Sequence, residues 1–430
     1  MMDTQVAKPW RTAVAERWRA LPEWAERSTA PKRGQAPWRP IVLQATALWL
    51  VTRIAYVALT YYAVAFSSGD RVLNGVALPP RAFLHAWQHW DAHWYLRIAD
   101  LGYFNPQPTA FFPLYPALIH VMSGLVGSSH ELAGALLIAN VGTLGAFIGV
   151  GLLAANEDGR SESAWRSLRV FIAYPLAFFL TAPYTEGLFV AFVAGSLLCA
   201  RRGSWRWSAA WALLAGLTRP TALALVPALL WEYGRQHGWW RRDAWTAGAW
   251  RERLRPKALV EAVMVVGAVP AAIAGFMVFC WERFGDPIMF LRAERIYWYH
   301  SKTPPWTALW TGFTNFLSAP MLSDIQARLL VNLAPVLVFL VIAIIGIRRL
   351  PLMLTLYTFG ILYLSMASPI LNNQDVLTSC GRYLIAAIPI FLLLGQWAER
   401  RPWLDMLIVS GGFLVQAMLA LVYLRNGWVN

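Results

Sequence analysis

Eleven apolar stretches punctuate the chain, at roughly 41–66, 131–155, 168–182, 185–200, 207–218, 220–234, 258–282, 328–347, 352–368, 382–397 and 403–424. A helix needs about 20 apolar residues to cross a bilayer core. The pattern therefore predicts an all-α polytopic membrane protein, a bundle of about eleven transmembrane helices. Three larger polar regions separate the spans, at 67–130, about 283–327 and 369–381. The first encloses Phe111-Phe112-Pro113-Leu114-Tyr115-Pro116-Ala117-Leu118-Ile119, an apolar run short for a span and expected to lie along the interface as a helix. At 207–234, Thr218-Arg219-Pro220 interrupts two short halves. Two short helices meeting at the outer side, or one long kinked helix, both fit the pattern alone. With no internal repeat or soluble domain, the chain divides into a basic segment, 1–40, and one transmembrane domain, 41–430.

Composition agrees: 58% of the residues are hydrophobic, 14% are charged, and the mean hydropathy is +0.45. Soluble domains run about 45–50% apolar and about 25% charged. The net charge of +14 raises nucleic acid as a partner, but its distribution argues against one. Basic residues cluster between spans: Arg201, Arg202 and Arg206; Arg235, Arg241 and Arg242; Arg251, Arg253, Arg255 and Lys257; Arg348 and Arg349; Arg400 and Arg401. Such clusters mark cytoplasmic loops and attract anionic membrane lipid. They put the N-terminus inside, the large loops outside, and two helices rather than one at 207–234. Cys199, Cys280 and Cys380 form neither a metal spacing nor a disulfide framework. The first 40 residues lack a signal peptide's apolar core, and Trp10, Trp18 and Trp24 suit either a membrane-surface stretch or disorder.

The candidate chemistry begins at Trp90-Asp91-Ala92-His93-Trp94-Tyr95, an acid wrapped in aromatics just past the first span. Tryptophan and tyrosine favour the membrane–water boundary, where a carboxylate meets both a lipid headgroup and a water-soluble acceptor. Sugar transfer from a lipid phosphate needs one base for the acceptor hydroxyl, because phosphate leaves without much protonation. Asp91 suits that role, and suits equally that of a helix cap. Trp90, Trp94 and Tyr95, at i, i+4 and i+5, would set rings on one helical side beside it, as sugar platforms or as interface anchors; His93 is a candidate phosphate or metal contact. Glu186 opens a span after Tyr184-Thr185, as a second catalytic candidate or as an acid favoured by the helix dipole. Outer-side cations for a phosphate are Arg219, Arg292, Arg295, Lys302 and Arg382, with Tyr383 following the last. No ligand cluster defines a metal site, and a divalent cation stays compatible with the sequence. Arg53, midway along the first span, calls for an internal partner.

The sequence resembles the PIG-V-type mannosyltransferases of the GT-C glycosyltransferase superfamily. The resemblance rests on Trp90-Asp91-Ala92-His93-Trp94-Tyr95 through Gly102-Tyr103, Phe111-Phe112-Pro113-Leu114-Tyr115-Pro116, Tyr174-Pro175, Tyr184-Thr185-Glu186-Gly187-Leu188-Phe189, Thr218-Arg219-Pro220 and Gly381-Arg382-Tyr383, in the family's order. It implies a GT-C-like fold, a polyprenyl- or dolichyl-phosphate-mannose donor, inverting transfer, an extracytoplasmic site and Asp91 as base. Thr185 stands where eukaryotic members carry serine, and Thr218-Arg219-Pro220-Thr221 replaces a longer family stretch. These departures leave the acceptor open among a glycolipid, a polysaccharide, a protein and a GPI precursor. Two other classes compete: a lipid or solute transporter, which would want midplane charges and a repeat, and a non-catalytic membrane scaffold.

Overall fold

The computed structural model describes residues 37–66, 79–127, 130–240, 256–371 and 373–429. Residues 1–36 with their tryptophans, and Arg241, Arg242, Arg251, Arg253 and Arg255, lie outside the described residues. Among those described, helices are the sole regular structure.

A helix occupies each of the eleven apolar segments, yet only five are long and apolar enough to cross a membrane unaided: Trp38–Ala65, Glu131–Asp158, Pro256–Phe284, Asp324–Gly346 and Pro402–Leu424. A sixth candidate is a broken pair, Cys380–Ala386 and Ile388–Glu399, bent by 75°. The count of eleven complete spans is therefore not reached by length. Ser161–Ile172, Glu186–Arg201, Trp205–Thr218, Leu225–Gln236 and Leu352–Met366 are shorter, about 18–24 Å at 1.5 Å per residue. Several are lengthened by 3₁₀ turns such as Ala177–Leu180 and Pro220–Ala224.

The interrupted stretch forms two helices. Trp205–Thr218 ends at an extended Arg219 (φ −154°, ψ 141°), and Pro220, which cannot donate to a continuing helix, starts the turn leading to Leu225–Gln236. Ser196 and Ser208 exchange hydrogen bonds of 3.0 Å to each other's carbonyls, binding Trp205–Thr218 back against Glu186–Arg201.

The heart of the bundle is the pairing of Glu131–Asp158 with Glu186–Arg201. Small residues let the backbones approach: a Cβ on Gly142 would sit 2.8 Å from Leu188 N, and one on Gly187 2.5 Å from Thr143 Oγ1. That approach fixes the start of the second helix, and with it Glu186. Edge-to-face contacts among Phe171, Tyr174, Phe339 and Phe391 pack helices from both halves of the chain. Arg53 finds its internal partner in the Asn140 side-chain oxygen, with Trp49 and Tyr56 rings alongside.

The longer polar regions between the apolar segments carry structure of their own. Residues 67–130 contribute Pro80–His85, Asp91–Leu101 and Leu114–Val126, and 283–327 contributes Met289–Tyr297 and Pro305–Ser318.

Candidate active site

Asp91 is the first residue of its helix. The residue before it, Trp90, has φ 52° and ψ −115°, a conformation costly for any side chain bearing a Cβ. Trp90, at the N-cap, makes no side-chain cap hydrogen bond, and Asp91 takes the first helical position. Its carboxylate turns to Arg382, Nη2 to Oδ2 at 2.8 Å, while a quarter of the side chain stays exposed.

Arg382 comes from the broken span. Ser379 adopts a left-handed φ of 65°, the short helix Cys380–Tyr383 follows, and the break at Ala387 precedes Pro389 in the first turn of the next helix. The guanidinium is almost wholly buried, lying over Phe179 (5.3 Å) and Tyr184 (5.1 Å). Its Nε also faces Glu186 Oε1 at 3.3 Å. Glu186 is 3% exposed and accepts a 2.7 Å hydrogen bond from Arg219 Nη1. Arg219 in turn lies 4.5 Å over the Tyr383 ring. The result is an alternating chain of charge, Asp91–Arg382–Glu186–Arg219, drawn from four separate segments. Two cations neutralise two anions, which is what burial of such groups demands. The chain is nonetheless incomplete: Glu186 Oε2 and Arg382 Nε are buried with no hydrogen-bond partner.

All four residues line a cavity of about 810 Å³. Its lining combines apolar residues, among them Phe111, Phe112, Ile273, Met277 and Phe290, with polar ones, among them His300, Lys302, Ser368 and Thr378. Lys302 Nζ donates to Ser368 Oγ at 2.8 Å and stays largely exposed. Sequence reasoning missed His300, Glu294, Ser368 and Tyr363. Their wall is closed by a non-local pairing, Ser301 N–H to Pro369 O (2.8 Å) and Thr303 N–H to Ala367 O (3.3 Å), which no local pattern announces.

Of the other expected residues, Tyr95 and Tyr383 also reach the cavity. Trp90, His93, Trp94 and Arg292 do not line it. The expected alignment of Trp90 with Trp94 fails because Trp90 precedes the helix: its ring turns edge-on to Trp428, 4.5 Å away. Trp94 stacks behind the wall on Phe111 (6.1 Å) and meets Trp298 edge-on (5.4 Å). His93 is exposed, 3.5 Å from Gln88. Arg292 sits on Met289–Tyr297, which buries Phe290 and Ala293 and so turns Arg292 outward to Asp286 at 2.8 Å. Among the described residues, no three His, Cys, Asp or Glu side chains gather as a metal site. Arg382 lies between the site's two carboxylates.

Residues 41–233 match the family model described as Mannosyltransferase (PIG-V), just under half of the chain. The expected resemblance to PIG-V mannosyltransferases is borne out over that region, which contains Asp91, Glu186 and Arg219. No curated protein matches. Among solved structures, the chain is similar to ArnT from Cupriavidus metallidurans bound to undecaprenyl phosphate, with 14% identity, TM-score 0.43, and 86% of this chain and 75% of that one covered. It is also similar to the Archaeoglobus fulgidus oligosaccharyltransferase AglB in complex with an inhibitory peptide and a dolichol-phosphate, at 11% identity and TM-score 0.37. There it covers 88% of its own length and 55% of the other chain's, so it spans about half of that enzyme.

Proposed function

We propose that this protein is a membrane glycosyltransferase that moves a mannose-type sugar from a polyprenyl-phosphate donor to a hydroxyl of a lipid, glycan or protein acceptor, with inversion. The observation that carries the proposal is a part-exposed Asp91 beside a cavity of about 810 Å³, ion-paired at 2.8 Å to a buried arginine. The family match over 41–233 supports the same reading.

The chemistry follows from the residues. The acceptor hydroxyl gives its proton to the Asp91 carboxylate as its oxygen bonds to the anomeric carbon. The bond from that carbon to the phosphate oxygen breaks on the opposite face, and its electron pair leaves with the phosphate. Arg382, with Arg219 nearby, neutralises the charge that develops there, the task guanidinium performs best. Arg382 also ion-pairs with Asp91. A donor phosphate that draws Arg382 toward itself frees the carboxylate for the acceptor, while Glu186 anchors both arginines throughout. Glu186, at 3% exposed, is thus a positioning residue. The apolar wall of Phe111, Phe112 and Phe290 suits an isoprenoid chain. An extracytoplasmic site fits the charge pattern, since Arg201, Arg235 and Arg400 belong to the other ends of their helices.

The test is purified protein in liposomes with labelled polyprenyl-phosphate mannose and membrane-lipid or glycan acceptors. Transfer of label to an acceptor is expected. Movement of the donor across the bilayer without transfer would return the chain to the transporter class.

A further inference from the structure

Gly381, the residue before Arg382, is held through both its N–H and its C=O by side chains that do not line the cavity. Gly381 N–H donates to Asn332 Oδ1 at 3.0 Å, and Gly381 O accepts from the Tyr174 hydroxyl at 2.6 Å. Asn332 is wholly buried in Asp324–Gly346. Its amide nitrogen donates to Asp375 Oδ2 at 2.8 Å, and the Thr378 hydroxyl bonds the Asp375 carbonyl at 2.6 Å. The fit is tight: a Cβ on Gly381 would lie 2.7 Å from Leu176 Cδ1, 3.0 Å from Val331 O and 3.3 Å from Asn332 Oδ1.

A fully buried amide costs free energy unless each of its atoms is partnered. An apolar side chain would pack Asp324–Gly346 as well without that demand. Here both ends of the amide are committed, one to the residue preceding Arg382 and the other to the loop that leads into it. The left-handed Ser379 lies inside the same span, and such backbone persists only where its surroundings over-determine it. The polar chain Asp375–Asn332–Gly381 therefore fixes the origin of the Arg382 side chain, whose guanidinium must lie within hydrogen-bond reach of both Asp91 and an incoming phosphate.

We propose that Asn332 and Asp375 are positioning residues for Arg382, acting as an acid–amide pair that sets the arginine at the place where the donor phosphate is held. The inference rests on the proposed use of Arg382 toward a lipid phosphate. A group that acts through another is recognised by non-additivity and by rescue, neither of which general loosening of the fold reproduces.

The experiment measures the affinity of detergent-solubilised protein for polyprenyl phosphate, the donor without its sugar. Wild type is expected to bind. Asn332→Asp sets two carboxylates face to face and should weaken binding by about tenfold or more, the scale of losing an outer-shell partner. Combining it with Asp375→Asn restores the acid–amide pair in reverse and should recover most of that loss. Asn332→Ala should weaken binding in wild type but add less than twofold to Arg382→Gln. Equal binding by wild type and Asn332→Ala, or additive losses in the Arg382→Gln background, would overturn the positioning role while leaving the donor reading intact. No binding by folded wild type would overturn the donor reading and this role with it. If Asn332→Asp alone fails to fold, the reversed pair and Asn332→Ala still decide the matter.

Discussion

Two charge networks are buried in this bundle, and they are built to opposite standards. At one end Glu157, Arg201, Glu232 and Arg235 tie three helices together. Arg201 donates to both Glu157 oxygens (2.7 and 2.9 Å) and to Glu232 Oε1 (3.1 Å); Arg235 holds both Glu232 oxygens, and Gln236 adds a further bond to Oε1. Arg201 and Glu232 side chains are at most 2% exposed, and none of the four residues has a buried orphan atom. At the other end, Asp91, Arg382, Glu186 and Arg219 carry the same two-plus-two charge, yet two buried atoms lack hydrogen bonds and the network opens on a cavity. The first is finished when the protein folds. The second is left short of partners, the arrangement expected where a ligand supplies the remainder.

The contrast makes claims of different size. Arg201→Ala leaves Glu157 without its arginine, while Glu232 keeps Arg235 and Gln236, and should cost about 3–5 kcal/mol of stability, the scale of breaking a buried pair. Turnover per folded molecule should hold; thermal unfolding set beside specific activity separates the two. Glu186→Gln retains the shape but leaves Arg219 and Arg382 with one counter-charge fewer. It should cost about 1.5–3 kcal/mol, the scale of a hydrogen bond to a charged group, and should disturb donor affinity as well as stability. A loss confined to stability would make the two networks alike. Trp428→Ala removes the edge contact that backs the Trp90 ring, and should cost about 0.5–1.5 kcal/mol, read as a small fall in unfolding temperature.

A pH dependence follows at Asp375, whose carboxyl is pushed up from the usual 3.8 to about 6 by burial, against the opposing pull of its bond to Asn332. Its folded-state affinity for a proton exceeds the unfolded one, so its stabilising contribution is full at low pH. That contribution is lost as pH rises between 3.8 and about 6. Unfolding profiles of wild type and Asp375→Asn should diverge in that window, with the variant the flatter.

The helices were legible because apolar runs of the right length have few other solutions in a bilayer. Asp91, Glu186, Arg219 and Arg382 were legible for a related reason: an ionisable group at membrane depth needs a partner, and these four partner one another. What local pattern hides is backbone and long-range pairing. The φ of 52° at Trp90, which takes its ring away from Trp94, leaves no trace in composition. The 75° break at Ala387 sits inside a run apolar throughout, with only Pro389 as a sign. The wall that joins 300–303 to 367–369, and the reach of Asn332 to Gly381, each connect residues dozens of positions apart.

The central claim is tested most directly by Asp91→Asn, with polyprenyl-phosphate affinity and acceptor turnover measured on one preparation. Affinity should survive within a few-fold while turnover falls by about 100- to 10,000-fold, the contribution of a general base. Unchanged turnover, or a fall in affinity that accounts for the whole loss, would contradict the assignment of Asp91 as the group that takes the acceptor proton.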